Sequence, residues 1–152
     1  MYLTVHATAG LLVARAFPHH PLLAFLGGLA SHFVLDMVPH GDELPPHLSR
    51  PQAVRRLLGA ATLDGAVLIG WLLLYLRVTP LLPTSAVAAA VIGSVLPDAL
   101  EGIDMLTHTT LLRWFSRFHE RVHNFTKLKL RWPVGMLLQC LTLTALWLLV
   151  IS

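Results

Sequence analysis

The sequence predicts an all-α fold: a polytopic membrane bundle of four to five transmembrane helices with one amphipathic helix at the interface. Three observations predict it. Hydrophobic residues make up 55% of the 152-residue chain and charged residues only 12%, about half the charge of an average soluble domain. Mean hydropathy is +0.68. Five apolar segments stand out, at about 3–17, 22–38, 57–76, 81–97 and 132–151. The length suits one integral membrane domain covering residues 1–152.

The elements follow in order. Segment one is short for a span. It lacks a basic leading region and a small-residue cleavage site, so it reads as part of the mature chain rather than a removable signal. Segment two carries Gly27, Gly28, Ala30 and Ser31, small residues that let helices approach closely. It ends at Pro39. Asp42 and Glu43 then read as loop carboxylates, and a weak amphipathic piece spans about 47–56. Segments three and five have comfortable span lengths, and Pro80 and Pro83 bracket a turn between three and four. If segment one is re-entrant or interfacial, four spans remain; if it crosses, five.

Residues of about 109–125 behave differently. At 100° per residue Leu111, Phe115, Phe118, Val122 and Phe125 form one apolar stripe, with Arg117 and Arg121 on one flank and His119 and His123 on the other. That pattern predicts an interfacial helix with its aromatics in the acyl boundary and Arg113, Arg117 and Arg121 at anionic headgroups. The lone cysteine, Cys140, sits in an apolar run and reads as a small buried hydrophobe, which leaves no disulfide framework.

Charge sets the orientation. With five crossings, Arg50, Arg55, Arg56, Arg113, Arg117, Arg121, Lys127, Lys129 and Arg131 share the N-terminal side, against Arg15 and Arg77 opposite. The positive-inside rule then places the N-terminus in the cytoplasm of a prokaryotic cell, with the chain in the inner membrane. Membrane lipid, not nucleic acid, is the expected partner of these clustered cations.

The same topology brings ionisable residues to one level. His32 and Asp36 lie i, i+4 on one stripe of an apolar helix, where each costs free energy unless compensated. His6, His40, Asp64, Asp98, Glu101 and Asp104 fall at the same face. Imidazole with carboxylate suits zinc first, with manganese or iron next; carboxylates alone would suit magnesium or calcium. The expected ligands are His6, His32, Asp36, His40, Asp98, His119 and His123, with Asp64 as a further carboxylate or base. His19, His20, His47 and His108 read as solvated loop or terminal residues. The alternative to a metal is a buried polar network that ties the helices together or binds a partner.

Residues 119–123 read HERVH, the H-E-x-x-H pattern of zinc peptidases, with Glu120 as the would-be general base. Leu63-Asp64-Gly65 resembles the LDG motif of site-2 intramembrane metalloproteases, but the two motifs run in reverse order in this chain. A broader resemblance covers His6 to about residue 125. It rests on His6-Ala-Thr-Ala-Gly10, on GLASHFVLDMVPH from Gly28 to His40, on Leu96-Pro97-Asp98, and on the late basic segment with His119 and His123. In these the chain is similar to the YdjM-like group of small inner-membrane metal-dependent hydrolases. Ala99-Leu100-Glu101 stands where that group often has x-D-H, and Glu120 where its late motif has arginine. The resemblance implies a membrane-embedded hydrolase with a divalent metal. Such an enzyme would act on a phosphoester or ester of a lipid or lipid-linked substrate at the cytoplasmic face, through the same ligands. An intramembrane zinc peptidase using Glu120 is the third reading.

Overall fold

The computed structural model describes residues 1–41, 47–79, 83–107, 110, 112–126 and 128–152. Asp42, Glu43, Pro80, His108, Leu111 and Lys127 lie outside the described residues. Every regular element among the described residues is a helix: α1 (Leu3–Ala16), α2 (Pro21–Asp36), α3 (Arg50–Val78), α4 (Thr84–Thr107), α5 (Arg113–His123) and α6 (Trp132–Ile151).

Three of them are long and apolar enough to cross a bilayer, over Pro51–Val78, Thr84–Thr107 and Trp132–Ile151. Of the expected four to five spans, three have the full length among the described residues. The helices α1 and α2 hold 14 and 16 residues, which at 1.5 Å per residue is about 21 and 24 Å. A hydrocarbon core measures about 30 Å. Proline ends both: the chain breaks at Pro18 between them, and at Pro39 after the second.

Two boundaries differ from the sequence reading. The amphipathic piece before segment three is the start of α3 itself, because Ser49 and Gln52 form a capping box there and Pro51 occupies the first turn. Helix α4 runs on past Pro97 to Thr107. Proline removes one helical bond, but the continuation is held from α5, where Ser116 Oγ donates to Asp104 Oδ2 at 2.7 Å.

Helices α1, α2 and α4 form the centre, and Ala14, Ala24, Ala86 and Ala90 are its apolar core. Helix α2 meets α4 backbone to backbone. A Cβ on Gly28 would run into the Ala90 carbonyl, and one on Gly93 into the Phe25 carbonyl. The small-residue expectation for segment two therefore holds at Gly28. Helices α3 and α6 flank this centre and turn Leu63, Val67, Leu73, Leu137, Leu141 and Leu148 outward. Cys140 belongs to that outer face, so it is exposed rather than buried. Arg15, at the far end of α1, donates to the carbonyls of Leu149 and Val150, while His19 and His20 stay exposed in the adjoining turn.

Candidate metal centre

Four helices and the segment after α2 converge at the other end of the centre. On α2, His32 and Asp36 stand one turn apart and both are fully buried, with His32 Nε2 2.8 Å from Asp36 Oδ2. Helix α5 adds His119, whose Nε2 lies 3.0 Å from both Asp36 Oδ2 and His32 Nε2. Helix α4 adds Asp98, whose Oδ1 is 3.8 Å from each of those two imidazole nitrogens. In a tetrahedral zinc site with bonds of about 2.0–2.1 Å the ligand–ligand edge is about 3.3 Å. The separations of 2.8 to 3.8 Å bracket that edge, and these four residues form one candidate ligand set.

Backbone and carboxylate partners decide which nitrogen each ring offers. His32 Nδ1 lies 2.7 Å from the Ser94 carbonyl, a pure acceptor, so Nδ1 carries the proton and Nε2 presents a lone pair. His40 repeats the arrangement, with Nδ1 2.6 Å from the Val38 carbonyl. His119 Nδ1 sits 2.7 Å from Glu101 Oε2, the carboxylate–histidine pairing that orients metal ligands. In the neutral form His32 therefore aims a lone pair at a carboxylate oxygen 2.8 Å away. That contact is repulsive unless a proton or a metal cation lies between them.

His6 supplies the strongest sign of an unmet demand. It is fully buried, and neither ring nitrogen completes a hydrogen bond among the described residues. Its Nε2 nevertheless points into the cluster, 3.2 Å from Asp36 Oδ1 and 3.9 Å from Asp98 Oδ2. A buried imidazole without a partner costs about 1–3 kcal/mol. His123 reaches Asp36 Oδ2 at 3.2 Å from the rim, where it is partly exposed. His119 lies on α5, which is not one of the three helices long enough to span. Burial opposes its protonation, but Asp36 and Glu101 outweigh that and hold the imidazole up at about 9.

The structure thus brings His6, His32, Asp36, His40, Asp98, His119 and His123 together. It places two expected residues elsewhere. Asp64 accepts from the backbone N–H groups of Leu3 and Thr4 and from Thr4 Oγ1, the last at 2.6 Å. It caps the first turn of α1 instead of entering the cluster. Glu120 is exposed on the outer side of α5. The i, i+4 imidazoles of HERVH turn inward, and i+1 is carried about 100° away, so the peptidase general base is out of place. The stripe on α5 is corrected too: Phe115 and Val122 turn inward with the histidines, while Trp114, Phe118 and Phe125 stay exposed. Arg113, Arg117 and Arg121 are exposed, outside the cluster.

Sequence reasoning passed over Glu101 as a partner of His119, although i+3 from Asp98 on a helix was a usable signal. It also missed the Ser94 carbonyl and the Met1 α-amino group, which donates to Asp36 Oδ1 at 2.7 Å; neither leaves a trace in residue type. No protein-family model, curated protein or solved structure matches the chain.

Proposed function

We propose that the protein is a membrane-embedded, metal-dependent hydrolase, with zinc held by His32, Asp36, Asp98 and His119 and with His6 behind them. Its substrate is a phosphoester or ester of a lipid or lipid-linked molecule, reached from the cytoplasmic face. Kinship with the YdjM-like group belongs to the same proposal.

The observation that supports it is His32, whose Nδ1 proton is held by the Ser94 carbonyl so that its Nε2 lone pair faces Asp36 at 2.8 Å, with His119 and Asp98 closing around the same point. A purely structural pair would aim an N–H of His32 at that carboxylate. Two imidazoles with two carboxylates suit zinc, manganese or iron better than calcium. A cation there would polarise a phosphoryl or carbonyl oxygen and bring a bound water towards a pKa of about 7. Asp98 and Glu101 are the more open members of the cluster, which gives a substrate its approach between α4 and α5. The exposed arginines of α5 supply positive charge where an anionic headgroup would lie.

The test is elemental analysis of detergent-purified protein together with hydrolysis of phosphoester and ester lipids. Wild type should carry zinc and hydrolyse one substrate class, and His32→Ala and Asp36→Asn should lose both. Equal metal content in wild type and His32→Ala would end the ligand assignment. Metal bound with no hydrolysis of either class would end the enzymatic one.

A further inference from the structure

The geometry points to a second cation site at the rim, formed by Asp36, His40 and His123, so that the centre is dinuclear and its substrate is a phosphoester. This rests on the hydrolase reading and deepens it.

Asp36 is the pivot. Its Oδ2 faces His32 and His119 at 2.8 and 3.0 Å and also His123 at 3.2 Å, more nitrogen donors than one proton or one tetrahedral ion needs from a single oxygen. Its Oδ1 lies 3.2 Å from His6 Nε2 and 2.7 Å from Met1 N. Donor atoms of Asp36, His40 and His123 lie within 4.8 Å of one another, a second ligand set that shares only Asp36 with the first.

His40 is buried, and the Val38 carbonyl holds its Nδ1 proton. Its Nε2 therefore faces inward, 3.1 Å from Met1 N, which also lies 2.7 Å from Asp36 Oδ1; a divalent ion between Asp36 and His40 would take the place of that nitrogen. A divalent ion at this position would have an oxygen and two nitrogens as ligands, the set a hydrolytic zinc keeps while leaving one position open.

Both sites reach the surface, the first through Asp98, whose side chain is 23% exposed, and the second through His123 at 24%. A carboxylate shared by two sites suits ions about 3.5–4 Å apart, the spacing at which a metal pair clamps the attacking and leaving oxygens of a phosphoryl displacement. Phosphatases and nucleases use a metal pair of this spacing, and the shared carboxylate on that ground favours the phosphoester among the classes open to the first site.

The experiment loads metal-stripped, detergent-purified full chain with manganese(II) and reads stoichiometry by elemental analysis after gel filtration and the electron paramagnetic resonance spectrum. Wild type should hold two equivalents with the spectrum of a spin-coupled pair. His40→Ala should hold one equivalent with a single-ion spectrum. His123→Gln, at the partly exposed position where folding is least at risk, should do the same. One equivalent in wild type, or two with uncoupled spectra, overturns the second site and leaves the first standing. No bound metal in wild type overturns both readings. Two equivalents in His123→Gln and His40→Ala alike also overturn the assignment.

Discussion

At the scale of single residues, His119 shows how one side chain can serve or oppose a metal. Its Nε2 faces Asp36 and its Nδ1 faces Glu101, so two carboxylates hold its proton up to about pH 9 against the cost of burial. Below that pH a metal must displace the proton, so affinity should rise with pH, roughly tenfold per unit for one proton, and level off above about 9. Glu101→Gln sharpens the test. Removing an outer-shell carboxylate typically costs about 10–100-fold in metal affinity, and that full loss should appear at about pH 9.5, where no proton competes. At about pH 7 the loss should be smaller, because the same carboxylate also secures the competing proton. Zinc titrations with a buffered chelator at both pH values check this, and an equal loss at both would mean that Glu101 does not hold the proton of His119. Much of the cluster was legible at this scale. The i, i+4 pair of His32 and Asp36 in an apolar run marked the place, and the five-segment topology carried His6 and Asp98 to its level. Asp64 was not legible. An aspartate two turns into a span looks the same whether it meets a metal or the backbone of a helix about 60 residues away.

At the scale of elements, the start of α1 explains Asp64. The first N–H groups of any helix lack intrahelical partners. In this chain Leu3 and Thr4 find theirs in the Asp64 carboxylate from α3, and Tyr2 N–H finds Gln139 Oε1 on α6 at 2.8 Å. The carboxylate also meets the positive end of the α1 dipole. Asp64→Ala should therefore destabilise the fold by about 1–3 kcal/mol, the cost of stranding buried donors, while the protein that remains folded keeps its metal. Asp64→Asn should recover part of the loss, since its carbonyl still accepts. Thermal unfolding in detergent with metal content measured alongside decides it. Metal lost at unchanged melting temperature would return Asp64 to the site. The pattern on α5 was legible only in outline. Helical spacing separates polar from apolar faces, but it does not say which face a neighbour will cover. In the structure His119 and Val122 define the covered face and the aromatic residues divide around it.

At the scale of the whole molecule, the depth of the site follows from where α1 begins. Tyr2 is level with Gln139, about seven residues into α6, so by helical rise the start of α1 lies about 10 Å below the first turn of α6. Helix α1 then ends beside the last turn of α6, where Arg15 meets Leu149 and Val150. A 14-residue helix suffices because it starts inside the bundle, and its submerged start is where the histidines and carboxylates gather. Sequence length alone read that as short for a span; the pairing of α1 with α3 and α6 shows that its start lies inside the bundle. The arrangement carries a topological prediction that holds whether α1 and α2 cross or form a shallow hairpin. If helices α3, α4 and α6 each cross, the number of crossings is odd, and a hairpin of α1 with α2 adds two or none. Ser152 should then face the side opposite the site. By the positive-inside rule the cationic residues on α5 and the start of α3 predict a cytoplasmic site. A reporter active only outside the cytoplasm should work when fused after Ser152. It should stay silent when inserted between α5 and α6, at residues 128–130, where a cytoplasmic reporter should work instead. Silence of the external reporter at Ser152 together with cytoplasmic activity there would break the three-crossing arrangement. Activity of the external reporter between α5 and α6 would invert the orientation and place the metal, and any substrate, on the outer side.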